Sequence, residues 1–147
     1  MKLQGEERIE APRERVWEAL NDPDVLEKCI PGCETLEQQS ATDMTATVAL
    51  KIGPVKASFD GKVQIKNMDP PNGYRLEGEG KGGVAGFAKG GADVSLADDG
   101  DATVLSYDVD AQVGGKLAQL GGRLIDSTAK KLAKQFFADF KKEVESA

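Results

Sequence analysis

The sequence predicts an α+β fold of the helix-grip kind: a curved antiparallel sheet of about seven strands around one long C-terminal helix, with two short helices after the first strand. Three observations predict it. Apolar and polar residues alternate with period two from Glu34 to Val113, as in a sheet covered on one face. Clusters of Gly, Pro, Asn and Asp interrupt that stretch with turns short enough for antiparallel neighbours. From Lys116 to about Ser146 the apolar spacing becomes helical.

Taken in order, Met1 to Glu10 reads as the first strand. Ala11-Pro12 opens a helix through Asn21, with proline near the first turn, where its missing N–H removes no hydrogen bond. Asp22-Pro23 restarts a short helix that stops at Pro31-Gly32. Six strands in a meander follow, with Val48, Leu50 and Ile52 in one run, Val63 and Ile65 in another, and Leu105, Tyr107 and Val109 in a third. Gly53-Pro54, Asp69-Pro70-Pro71-Asn72-Gly73 and Asp98-Asp99-Gly100 break the runs. The closing helix carries Leu117, Leu120, Leu124, Ile125, Leu132, Phe136, Phe140 and Val144 as one stripe, which must lie against the sheet. Sheet and helix are not expected to close along their whole length.

The 147 residues fit one domain, 1–147, large enough for one sizeable core or a core with a cavity. No linker, repeat or block of like charge divides it. Nowhere do 18 apolar residues run together, and the opening Met1-Lys2-Leu3-Gln4-Gly5-Glu6-Glu7 is not a signal peptide. Two cysteines without an export signal point to a reducing compartment, so a cytoplasmic protein is expected. Histidine is absent, which removes the usual general base near neutral pH and the commonest metal ligand. Triad hydrolysis and ordinary zinc catalysis are thereby disfavoured, and neither catalytic residues nor a metal or other cofactor are expected. A net charge of −6 argues against nucleic acid as a partner, since binding there relies on Lys and Arg neutralising phosphates.

The functional features that remain are a candidate cavity and its cover. Glycines concentrate at Gly78, Gly80, Gly82, Gly83, Gly86, Gly90 and Gly91, outside the strand-to-helix setting of a phosphate loop. They fit a sharply bent sheet, with room left beneath it. Gly121-Gly122 falls inside the predicted helix, where each glycine is less favourable than alanine by about 1 kcal/mol. Two readings of Gly121 stand open: close helix–sheet contact or a kink, and a gap in an apolar lining formed by Phe59, Tyr74, Phe87, Leu117, Leu120, Leu124 and Ile125. Cys29 and Cys33 flank Ile30-Pro31-Gly32 with no second ligand pair, so they read as small apolar residues of a turn. That loop, with Cys29, Ile30 and Pro31, is the candidate lid. Trp17 reads as packing. No two carboxylates are forced together by spacing.

Several segments resemble the family of the carbon monoxide dehydrogenase G-subunit. They are Ala11-Pro12-Arg13-Glu14-Arg15-Val16-Trp17-Glu18-Ala19-Leu20, Cys29-Ile30-Pro31-Gly32-Cys33-Glu34, Gly53-Pro54-Val55, Asp69-Pro70-Pro71, Gly86-Phe87-Ala88-Lys89-Gly90 and Gly114-Gly115-Lys116-Leu117-Ala118-Gln119. They occur in the family's order, from Met1 to about Phe140. The resemblance implies a START-like helix-grip domain related to polyketide cyclases. It also implies a non-catalytic accessory protein of a molybdenum hydroxylase of the carbon monoxide dehydrogenase type, helping connect it to the membrane or its electron carriers. With the cavity, the expectation becomes a protein holding an apolar small molecule, a quinone or a lipid. The competing expectation is a small-molecule enzyme of the same superfamily, a lyase or cyclase using Tyr or Asp.

Charge adds one surface. Lys116, Arg123, Lys130, Lys131, Lys134, Lys141 and Lys142 outnumber Asp126 and Asp139 along the closing helix of an otherwise acidic chain. Arg123, Lys130, Lys134 and Lys141 fall on one helix face, the expected docking face for an acidic partner or for anionic lipid at the inner membrane surface. A solvent-facing stripe of a helix is polar in any case, and cations are favoured near its C-terminus.

Overall fold

A computed structural model describes residues 1–146. Strand β1 (Lys2–Ile9) is followed by helices α1 (Arg13–Leu20) and α2 (Pro23–Cys29). The meander then comprises β2 (Cys33–Gln38), β3 (Asp43–Ile52), β4 (Val55–Asp69), β5 (Gly73–Lys81), β6 (Phe87–Asp99) and β7 (Ala102–Gly114). A 3-10 turn, Gly83–Ala85, lies between β5 and β6, and helices α3 (Lys116–Gln119) and α4 (Gly122–Glu145) complete the chain. The seven strands form one antiparallel sheet in the order β1-β7-β6-β5-β4-β3-β2. The meander's last strand thus returns beside the first.

Local chemistry explains the helix boundaries. Pro12 caps α1 with φ −66°, already suited to helix entry. Asp22 accepts a hydrogen bond from the Asp24 N–H and Pro23 occupies the first turn of α2. The expected single closing helix is broken instead. Gly121 adopts φ +89° and caps α4, its carbonyl accepting from the Ile125 N–H at 3.2 Å. Its left-handed backbone interrupts the helical path at little cost because glycine has no Cβ to clash. The interior-glycine penalty therefore does not apply to it.

Cross-strand register decides what covers the concave face. Two rows run across it: Met44, Val63, Gly78, Gly90 and Ala111, then Ala46, Gly61, Gly80, Ala88 and Val113. A Cβ at Gly90 would overlap the Asp110 carbonyl oxygen, so glycine there serves the bend of the sheet. At Gly61 and Gly80 a Cβ would meet nothing closer than 3.7 Å and 3.9 Å respectively, so those two also leave space.

The apolar interior divides into two clusters. The first gathers Ile9, Val16, Leu20, Cys29, Ile65, Tyr74, Leu96, Leu105, Phe137, Phe140 and Val144 from α1, α2, the sheet and the C-terminal half of α4. The second gathers Ile52, Phe59, Ala85, Leu117 and Ile125 near α3 and the start of α4. Thr103, fully buried, donates its hydroxyl to the Ala11 carbonyl at 2.8 Å and ties β7 to the corner between β1 and α1.

Candidate ligand cavity

A cavity of about 300 Å³ lies between the concave face and α4. Alternation aims the sheet residues into it: Leu76 on β5, Ala92 and Val94 on β6, Leu105, Tyr107 and Val109 on β7. Leu3 on β1, Leu36 on β2, Met44 and Ala46 on β3, and Val63 on β4 extend the wall. Leu20, Leu26 and Ile30 contribute from the short helices and the residue after them, and Ala133, Phe136 and Phe137 from α4. Aromatic contacts stiffen the helix side: Tyr107 stacks on Phe137 at 5.2 Å, and Phe136 stacks on Phe140 at 5.6 Å.

Among the described residues, those lining the cavity include no carboxylate, amine, guanidinium or thiol. The polar side chains are Thr45, Tyr74 and Tyr107. Burial pushes the Tyr74 phenol well above its ordinary range, and burial followed by the negative charge of Glu7 raises that of Tyr107. Both stay protonated near neutrality. Tyr107 occupies the space left by Gly5, where a Cβ would collide with its hydroxyl. Trp17 packs on the first cluster with its ring 5.3 Å from that of Tyr74.

Of the residues expected to line a cavity, Tyr74 does so. Phe59, Leu117 and Ile125 pack in the second cluster, with Leu120 and Leu124 against it. They fill that end of the molecule, while Phe87 is 47% exposed on the outside. Of the two open readings of Gly121, the break in the helix is the one seen: it caps α4, it is exposed, and no heavy atom lies within 4 Å of where its Cβ would be. Among the candidate lid residues, Ile30 lines the cavity, Cys29 is fully buried in the first cluster and Pro31 is half-buried beside them. Cys29 and Cys33 are free thiols.

Arg123, Lys130 and Lys134 are exposed on α4, but Lys141 pairs with Glu7 at 2.8 Å across β1. The helical periodicity placed all four on one face, and the packing of α4 against β1 takes the last of them out of the free stripe. Sequence reasoning missed Leu76, Ala92, Val94, Phe136 and Phe137. Their signal was present in the alternation and the helical stripe, but the Gly121-Gly122 pair pointed to the other end.

Residues 5–145 match the CoxG family, described as the G-subunit of carbon monoxide dehydrogenase. A conserved protein from Geobacillus kaustophilus is similar at 33% identity and TM-score 0.93, over 99% of this chain and 96% of that one. A START superfamily protein from Mycobacterium smegmatis shares the fold at 14% identity and TM-score 0.75, over 99% of this chain and 97% of that one. A protein from Thermus thermophilus shares it at 15% identity and TM-score 0.72, over 99% of this chain and 98% of that one. No curated protein sequence matches the chain.

Proposed function

The chain belongs to the CoxG family of carbon monoxide dehydrogenase, and from that premise we propose that it is an accessory binding protein of a molybdenum hydroxylase, holding an apolar small molecule in its START-like cavity. The observation that carries the reading is the lining. Aliphatic and aromatic carbon forms almost all of it, and its few polar groups are hydroxyls. Such a wall retains a hydrophobic molecule by removing its surface from water, at about 25 cal/mol per Å² of apolar area. A wall with so little polar surface favours a ligand that is mostly hydrocarbon, such as a quinone ring or an acyl chain. At about 300 Å³ the space accommodates a ring or a short chain rather than a whole long-chain lipid.

Binding is preferred over lyase or cyclase chemistry because the groups lining this space cannot exchange a proton readily near neutrality. A general acid or base works best with a pKa near the working pH, and burial moves the Tyr74 and Tyr107 phenols away from it. Docking to the hydroxylase is assigned to the exposed Arg123, Lys130 and Lys134 on α4.

Organic extraction of protein purified from its native host, followed by mass spectrometry, should recover the ligand. Trp17, the single tryptophan, reports on the same event through quenching when quinone analogues are titrated. Saturable quenching by quinone or acyl-lipid analogues supports the proposal. An extract without a lipophilic molecule, together with no saturable titration, overturns it.

A further inference from the structure

We propose that Gly5 and Tyr107 act as a pair that sets the width of the cavity and so selects its ligand by ring size, Tyr107 as the side wall and Gly5 as the residue that positions it. The assignment rests on the binding reading given above. Gly5 and Tyr107 are direct partners in the β1–β7 ladder, and Val94 and Tyr74 continue the same row across β6 and β5. Residues in register across a sheet share a face, so this row crosses the concave side. Tyr107, Val94 and Tyr74 line the cavity. With neighbouring strands about 4.8 Å apart, the two tyrosines stand on strands about 10 Å apart, and Val94 is the residue between them.

What keeps the space over Val94 open is the direction in which Tyr107 leans. A Cβ at Gly5 would overlap the Tyr107 hydroxyl oxygen and lie 2.5 Å from its Cζ, so the outer end of the ring rests in the space that the glycine leaves on β1. Phe137 stacks on the same ring from α4, at 5.2 Å with 19° between the planes. Glu7, two residues along β1 on the same face, pairs with Lys141, one turn beyond Phe137, at 2.8 Å. Strand and helix thus hold the ring on the side away from Val94. Across the cavity, the Tyr74 ring is set against Trp17 at 5.3 Å. Gly5 lies inside β1, where glycine weakens a strand, and its φ is not in the left-handed region that would call for glycine. The Tyr107 ring supplies the reason for it. A side chain at position 5 would push that ring off β1, and the space it faces is the cavity it shares with Val94. An aromatic ring over a strand glycine also stabilises a sheet, so selectivity and stability must be measured apart.

The test titrates the protein with tetramethyl-1,4-benzoquinone and with 2,3-dimethyl-1,4-naphthoquinone, both substituted so that the Cys33 thiol has no free quinone carbon to add to, and reads Trp17 quenching. The quantity of interest is the ratio of the two dissociation constants, which a loss of stability alone does not move; thermal melting is run alongside. Gly5→Ala should weaken binding of the two-ring quinone about tenfold and that of the one-ring quinone less than about threefold. Tyr107→Leu should shift the ratio in the opposite direction, by removing the side wall. Adding Gly5→Ala to Tyr107→Leu should leave the ratio where Tyr107→Leu alone put it, because the glycine acts through the ring. Tyr107→Leu leaves β1 unaltered and decides the matter should Gly5→Ala fail to fold. A wild-type ratio in Tyr107→Leu, or a shift by Gly5→Ala that persists without the Tyr107 ring, overturns the proposal while saturable wild-type binding leaves the accessory binding function standing. If neither quinone titrates saturably with the wild type, the binding reading itself falls, and the selectivity assigned to this pair falls with it.

Discussion

At the residue scale, Cys29 shows how burial changes chemistry without creating a function. Its side chain is fully buried, and desolvation, followed by the negative charges of Glu143 and Asp139, pushes the thiol up to about 11. Such a thiol is unreactive near neutrality, because the thiolate is the nucleophile. A disulfide-exchange reagent at pH 8 should therefore modify only the half-buried Cys33 in the native protein, and Cys29 only on denaturation. Linkage fixes the sign of a second effect. Between the ordinary thiol value near 9 and the folded value of about 11, the unfolded chain loses a proton that the folded one keeps. Stability contributed by this group is complete below that window and is lost as pH rises through it. The melting temperature should fall across this range in the wild type and fall less in Cys29→Ala. Gly121 gives the opposite kind of case, where backbone and not contact decides. With φ +89° and ψ 152°, a backbone that only glycine adopts readily, and open space around it, Gly121→Leu should cost about 1–3 kcal/mol in backbone strain and leave ligand titration unchanged. A variant that melts normally but no longer binds would restore the idea of a gap in the lining.

At the element scale, α4 does two jobs with two halves. Its C-terminal half presents Phe137, Phe140 and Val144 to the first cluster, and its middle presents Ala133 and Phe136 to the cavity. Ala133 is the smallest side chain that α4 contributes to the lining. Ala133→Phe should fill the space, reducing affinity for the apolar ligand more than tenfold in the Trp17 quenching titration while leaving the melting temperature within a few degrees of wild type. Overpacking of an already filled site would instead cost about 1–3 kcal/mol. A clear destabilisation with unchanged binding would show that α4 and the sheet are in contact there and that the ligand sits elsewhere.

At the scale of the whole molecule, the cavity lies against the first cluster, bounded by Leu20, Tyr74, Leu105 and Phe137, while the residues of the second cluster do not line it. A ligand that binds only the folded state stabilises it by RT ln(1 + [L]/Kd), about 2.7 kcal/mol at a hundredfold excess over Kd. For a domain of this length that corresponds to a rise of roughly 5–10 °C in melting temperature. Calorimetry with and without quinone or acyl analogues should show that rise, growing with the logarithm of ligand concentration. No shift at saturating concentrations would count against a cavity site.

The amino-acid order alone determined the element types, their sequence, the seven strands and the apolar face of the closing helix. Those features follow from side-chain parity along strands, helical spacing and turn chemistry, all of which act between near neighbours. Tertiary structure decided which part of the concave face stays empty. The cavity joins Leu3, Leu36, Val63, Ala92, Val109 and Phe136 from six separate elements, and no local spacing brings them together. It also decided between the two readings of Gly121 in favour of a break between two helices, because a φ of +89° is a property of the folded path. Inward-facing positions are written in the sequence by periodicity; whether such a position is filled or faces space depends on where a distant helix crosses the bent sheet.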